Sequence, residues 1–360
     1  MTFVRKPFVL AGVVAALAAA GIGARQAQAT TAKQWAVTFV HQYGNGNDEN
    51  AYLSVAAPSA SDVWAFGGTN GQAGSPVAVQ YAGGQWAQSA LPHKPGMAEI
   101  SAASAPSAGD VWAITSLGSH QYALTWNGSA WSVAHTWNKS GDQTTGVTAF
   151  SPGNVWVFGA TTGDSTGIGT WHFNGSTWTK VGGAATGIIT ASALSSSDIW
   201  AVGATSGSQQ PDVVHYNGKT WRQVSAPPLT GGEINDVLAV SDSDVWVLGH
   251  TSASTTVLTQ YNGTSWTSVT IPWNMAPGHI ASDGAGGLWL SGTDENPPNN
   301  TWLLHRSASG TWTRQVINPQ RAQVTGLALV PGTTTMVAPG TTFRSEQDKA
   351  AVYLNGTLGS

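Results

Sequence analysis

Three residues stand where acid–base chemistry would need them. The stretches "PGMAEIS" and "TGGEIND" place Glu99 and Glu233 just before short runs of small apolar residues, and "APGHIAS" places His279 at the equivalent point. Paired carboxylates with an imidazole nearby can share the general-acid and general-base roles of glycosidic bond cleavage. The same residues also suit a polar collar around a wet channel, which needs no chemistry. A second set suits recognition rather than reaction. "HTWNKSGD" and "IPWNMAPG" carry tryptophan followed by asparagine in polar stretches, at Trp137-Asn138 and Trp273-Asn274. An exposed indole in a loop can stack on a sugar ring while the neighbouring amide bonds its hydroxyls. The competing reading is a lid of tryptophans packed over the structure beneath.

His172, His215 and His305 resemble a metal-ligand set until they are aligned. Each stands two residues before a turn at the same point of a repeat, and Gln80 and Gln260 fill that point in other copies. Equivalent positions in different copies are far apart, so the three cannot share one ion. No other His, Asp or Glu spacing matches a ligand set. The chain has no cysteine, which excludes disulfides and thiolate sites. No metal and no cofactor are expected.

The elements that must position these residues come from the repeat. "SASDVWAFG", "SAGDVWAIT", "SPGNVWVFG", "SSSDIWAVG", "SDSDVWVLG" and the weaker "GAGGLWLSG" set Trp64, Trp112, Trp156, Trp200, Trp246 and Trp289 at intervals of 43 to 48 residues. A degenerate copy, "VPGTTTMVAPG", puts Met336 in the tryptophan's place. A second phrase, a tight turn followed by tryptophan, supplies Trp86, Trp131, Trp178, Trp221, Trp266 and Trp312, each 19 to 23 residues after its partner. A unit of this length divides into four strands: a small apolar one, the Trp-bearing one closing on Gly, a third ending in a turn such as Asn-Gly, and a short fourth. This predicts an all-β chain folded as a seven-bladed β-propeller with four-stranded blades. The last copy stops at Asn355-Gly356, before its fourth strand. "KQWAVTF" at residues 33–39 matches that strand, so the N-terminal strand is expected to complete the last blade and close the ring.

Residues 1–29 read as a secretory signal peptide. Arg5 and Lys6 precede the apolar run "PFVLAGVVAALAAAGIG", and Ala27-Gln28-Ala29 supplies a small-residue cleavage site. Residues 30–360 then form one propeller domain. Charged residues make up only 9% of the chain and the net charge is −4, so no basic surface for nucleic acid is present. No membrane insertion is expected. The 18 tryptophans and the 41% hydrophobic fraction point to a dense core.

At these motifs the chain resembles secreted actinobacterial repeat proteins written around D-V-W-A-V-G and N-G-x-x-W, grouped loosely with kelch-like and Asp-box propellers. The resemblance covers nearly the whole chain after residue 29 and implies the fold. It implies little about activity, because propellers host lectins, hydrolases, lyases and scaffolds. "FNGSTW" and "YNGTSW" lack the Ser-x-Asp of a sialidase Asp box. The absence of cysteine removes galactose-oxidase-type copper chemistry. The function expected is therefore a secreted, extracellular, monomeric and non-enzymatic propeller that binds a glycan or a protein partner, with Trp137, Asn138, Trp273 and Asn274 as contacts. The alternative is a secreted glycan-active hydrolase or lyase using Glu99, Glu233 and His279.

Overall fold

The computed structural model describes residues 34–44, 50–69, 74–115, 120–138, 142–161, 168–182, 187–204, 211–225, 227–229, 231–294, 301–317, 322–344 and 347–359. The signal peptide expected over residues 1–29 lies outside them. The described residues form seven antiparallel sheets, and no helix among them is long and apolar enough to cross a membrane. Blade one runs Asn50–Ser59, Asp62–Thr69, Pro76–Ala82, Gln85–Gln88, each strand paired with the next. Blades two to six repeat that order and end at Trp312–Val316. The fold is a seven-bladed β-propeller.

The seventh blade is built from both ends of the chain. Its outer strand, Trp35–His41, pairs antiparallel with Gln347–Asn355, from Trp35 opposite Asn355 to His41 opposite Ala350. Gln347–Asn355 pairs in turn with Met336–Arg344. The inner strand is split into Ala322–Val324 and Ala328–Leu329. The closing strand thus starts at Trp35 and runs two residues past the expected end.

The turn motifs act largely through side chains. In the Asn-Gly turns only the glycine takes a positive φ, for example 90° at Gly128 and 84° at Gly218. The asparagine instead turns its side-chain oxygen back on the loop: Asn127 Oδ1 accepts the N–H groups of Ser129 and Ala130, and Asn217 Oδ1 those of Lys219 and Thr220. Blade one has no asparagine here and uses Gly83 and Gly84, both at positive φ.

The turn acid between the first two strands reaches across to the third strand of its own blade. Gln80 donates to Asp62, Gln260 to Asp244, and His215 and His305 contact Asp198 and Asp283 at 2.8 Å. His172 contacts Asn154 in the same way. Each of these imidazoles lies flat on the tryptophan of the second strand, at 4.3 to 4.7 Å between ring centres. The histidine column is therefore a brace within its own blade in blades three, four and six, and glutamine plays that part in blades one and five.

Between blades, the second-strand tryptophan meets the fourth-strand tryptophan of the next blade. Trp64 meets Trp131 at 5.4 Å, Trp112 meets Trp178 at 6.0 Å, and Trp289 meets Trp35 at 5.5 Å, all edge-on. Edge-to-face packing at this spacing matches the ring quadrupoles. At the seam between blades seven and one the tryptophan's place is taken by Val337 and not by the expected Met336: Gly340 closes the motif three residues on, as Gly67 does after Trp64, and Met336 faces blade six beside Trp35 and Trp289. Aromatic side chains of other columns fill the seam: Phe39 against Trp86, and Tyr43 bonded through its hydroxyl to Tyr52.

Blades one to six also share one irregularity. The inner strand slips register at the same level, between Tyr52 and Ser54, Ile100 and Ala102, and so on to Pro277 and Ile280. The second strand answers with the glycine that closes the Trp motif. A Cβ on Gly67 would fall 1.9 Å from Ala51 O, and one on Gly203 would fall 2.1 Å from Gly187 O. In five of the six bulged blades the motif's glycine thus makes room for the close approach of the inner strand, and in blade two Thr115 stands opposite Ile100 in its place.

Candidate functional site

The inner strands of all seven blades enclose a channel of about 580 Å³. Its width is lined by the residues that the bulges turn inward, among them Leu53, Ser101, Thr145, Ile189 and Asn235, with Gly326 at the break in the seventh inner strand. A bulge leaves one residue unpaired and re-aims its side chain, which is how a ring of regular strands presents a varied surface to its axis.

One carboxylate–imidazole pair sits in this lining. His279 Nδ1 lies 3.4 Å from Asp236 Oδ2. Asp236 is nearly covered and is held from three blades. Its Oδ1 accepts the backbone N–H of Val237 at 2.8 Å and the hydroxyl of Thr190 at 3.4 Å, and its Oδ2 accepts the N–H of Ile280 at 3.1 Å. His279 is anchored at its backbone, where its N–H donates to Ser291 Oγ.

The expected acid pair is not assembled. Glu233 opens the inner strand of blade five opposite His250, with its side chain 82% exposed and 3.9 Å from that imidazole. Glu99 precedes the inner strand of blade two and packs its Cβ against Gly68 of blade one. Neither lines the channel, and blades three and four lie between them. The carboxylate beside His279 is Asp236, three residues beyond Glu233.

The two surplus tryptophans lie at the outer seams. Trp137 ends the outer strand of blade two and is only 5% exposed, enclosed by His135, Trp171 and Trp178. No open indole face is left there for a sugar. Trp273 is half-buried on the connection from blade five to blade six, and the Arg314 guanidinium lies over its ring at 5.5 Å and over Trp302 at 4.6 Å. Asn138 and Asn274 are exposed beside them. Trp137 and Trp273 act as wedges under the next blade and do not converge on the channel.

A second concavity, of about 540 Å³, opens at the rim between blades one and two. Half-buried Trp126 and buried Trp131 form its wall, and Gln80, Gln88, Ser89 and Ser129 edge it. The polar groups are held in place: Gln80 donates to Asp62, Gln88 contacts His41 at 2.6 Å, and Ser89 accepts the Trp131 indole N–H at 3.2 Å. Trp126 stands in the third strand, directly before the Asn127-Gly128 turn, where the other blades have Phe, Tyr, Arg or Leu. That break in the repeat was the available signal for this groove.

Asp198, His215 and Asp242 also meet on the face that carries the strand-one to strand-two turns, each offering one ligand atom within 4.8 Å of the others. The Asp242 carboxyl is raised above the ordinary range, chiefly by its hydrogen bond to Asp198, then by partial burial and by the Asp198 charge, against a lowering by His215.

No family model matches the chain, and no curated protein matches it in sequence. Solved structures match it in fold. A YCF48 structure with a bound D1 peptide is 14% identical with a TM-score of 0.61, covering 90% of this chain and 97% of that one. A GH74 xyloglucanase from Xanthomonas campestris is 12% identical with a TM-score of 0.61, covering 88% of this chain and 55% of that one. The SapL1 lectin in complex with alpha methyl fucoside is 13% identical with a TM-score of 0.51, covering 75% and 97%. At these identities the likeness is one of fold.

Proposed function

We propose that this propeller is a secreted, extracellular binding module for glycans and acts without catalysis. The observation that carries the reading is the groove between blades one and two, where an accessible indole is edged by fixed amides and hydroxyls. Sugars offer an apolar ring face flanked by hydroxyls, and that wall is complementary to both. Scarce charge fits a neutral polar ligand. The exposed Asn138 and Asn274, beside the seam tryptophans Trp137 and Trp273, are proposed as peripheral contacts for a longer chain. That one of the fold neighbours is a lectin with a bound fucoside supports the reading by analogy of fold.

Hydrolysis or elimination finds less support. Glycosidases of the usual kind use two carboxyl groups flanking the scissile bond. Among the described residues the channel lining offers one, Asp236, and its oxygens are already engaged by three blades. The test is a polysaccharide and glycan array on the full-length protein, read for retention and for released reducing sugar. Retention that weakens on Trp126→Ala, with no sugar released, supports the proposal. Release of sugar that disappears in Asp236→Asn or in Glu233→Gln overturns it.

A further inference from the structure

We propose that Asp198, His215 and Asp242 form a divalent-cation site that staples blade four to blade five, with Zn²⁺ or a similar first-row ion as its occupant. Two of the three residues belong to the brace found in most blades, in which the turn acid contacts the third-strand side chain. The third breaks the repeat. In the turns of blades one to five, the residue two before the turn acid or asparagine is Ala60, Ala108, Pro152, Ser196 and Asp242, so blade five alone places an acid there. That acid projects at the seam with blade four, whose brace is an aspartate and a histidine. The seam between blades three and four offers no such set: it has the brace Asn154–His172 on one side and Ser196 on the other. Among the described residues this is the one cluster of three such groups.

The donor set has the composition of a cation site. One imidazole nitrogen with two carboxylates suits Zn²⁺ and its neighbours, and three protein ligands leave a position for water. The imidazole is already oriented, because Trp200 stacks on it at 4.4 Å between ring centres. His215 Nε2 lies 2.8 Å from Asp198 Oδ1, and the three ligand atoms lie within 4.8 Å of one another. Bonds of about 2.0–2.2 Å in a tetrahedron put ligand atoms roughly 3.3 Å apart. The ion therefore requires the His–Asp contact to open by about half an ångström, and Asp242, which is exposed, to swing inward by rotamer choice. Two carboxylates held this close repel unless positive charge lies between them, and a divalent ion neutralises both.

The repeat itself supplies substitutions that the fold accepts. Blades one and five have Gln80 and Gln260 at the His215 position, and blade four has Ser196 at the Asp242 position. The experiment is equilibrium dialysis of the full chain against Zn²⁺, with metal counted per chain, paired with thermal melts and with Co²⁺ absorption spectra. The expected result is one tightly held Zn²⁺ per chain, a raised melting temperature and a visible Co²⁺ band of tetrahedral or five-coordinate type. Asp242→Ser and His215→Gln should each weaken binding at least tenfold while melting like the metal-free parent. His305→Gln, which removes a brace without a third ligand, should leave binding unchanged. Failure of the parent chain to bind Zn²⁺ below millimolar concentration overturns the proposal, as does unchanged binding in both Asp242→Ser and His215→Gln.

Discussion

Replacing Trp35 by alanine tests whether the strand at residues 35–41 is part of the ring or an ornament on it. Trp35 is 4% exposed and packs edge-on against Trp289 within a cluster that includes Leu303, Met336 and Tyr353. Burial of an indole removes about 200 Å² from water, worth roughly 5 kcal/mol as an upper estimate. Against that, its Nε1 is buried with no hydrogen-bond partner among the described residues. An unsatisfied buried donor costs about 1–3 kcal/mol, which the substitution recovers. The cavity left behind adds to the loss, and the net expectation is about 3–5 kcal/mol. Trp221→Ala should lose a similar amount, since Trp221 fills the equivalent wedge at 8% exposure. Trp35→Phe keeps a ring while removing the orphan donor and should lose well under half as much. Val40 lies on the same strand at 40% exposure, so Val40→Ala should stay within about 1 kcal/mol. Urea unfolding followed by circular dichroism measures all four. If Trp35→Ala is no more destabilising than Val40→Ala, the closing strand does not carry the seventh blade.

Other perturbations have equally definite outcomes. A chain beginning at residue 42 should aggregate on size-exclusion chromatography, because it bares the edge of Gln347–Asn355 with its run "AAVYL". Trp137→Ala should cost about 3–5 kcal/mol in denaturant titrations and leave glycan retention intact, since the indole is enclosed. Gly203→Ala should destabilise by about 3 kcal/mol or more, because the new Cβ meets a backbone carbonyl that cannot move without undoing the bulge; a loss under about 1 kcal/mol would refute this. Two turn acids should respond to pH in opposite senses. Burial pushes the Asp110 carboxyl up, against the Trp112 indole N–H that holds it, so its charge costs stability at neutral pH and the cost fades as pH falls through its raised pKa. Asp110→Asn should therefore gain stability relative to the parent at pH 7 and less at pH 3. Burial also raises Asp283, but bonds from His305 and from the Ala285 and Gly287 N–H groups outweigh it and leave the carboxyl below its ordinary range. Its contribution is present above the unfolded pKa and lost as pH falls through the folded one, so Asp283→Asn should destabilise at pH 7 and less at pH 3.

The architecture was legible because the residues that build it recur. Tryptophan at two fixed points per copy marks the wedges, and the unpaired "KQWAVTF" marks the strand that closes the ring. The site was less legible because it is made across copies. Asp236 stood in plain view beside Glu233, but only the inner-strand bulge decides which of the two faces the axis. Trp126 belongs to one blade and its polar edge to another. Trp137 and Trp273 stood out as surplus residues, and surplus meant extra packing at two seams rather than an open platform. Asp242 meets His215 only because consecutive blades lie side by side, a relation that no linear spacing expresses. The turn asparagine marks its hairpin in the sequence, while its work through the side-chain oxygen depends on how the loop folds back.

The recurrent bulge also separates what holds this ring together from what it shows to a visitor. Tryptophan, glycine and the braced turn acid repeat because each blade must fit its neighbours. The bulged position varies instead, and across the first five blades it reads Leu53, Ser101, Thr145, Ile189 and Asn235, of which Ser101 and Thr145 also donate their hydroxyls to Thr144 O and Ile188 O of the next blade. A change there leaves the ladder on both sides intact and alters the tube, together with one bond to the next blade where Ser101 or Thr145 is replaced. The scaffold is in this sense addressable: one site per bulged blade can be rewritten to retune bore and polarity, with least effect on the seams at Leu53 and Ile189, whose side chains carry no polar group. A combinatorial library confined to these positions should yield mostly folded proteins, and a lineage drifting at them can acquire new ligands while its architecture stays fixed.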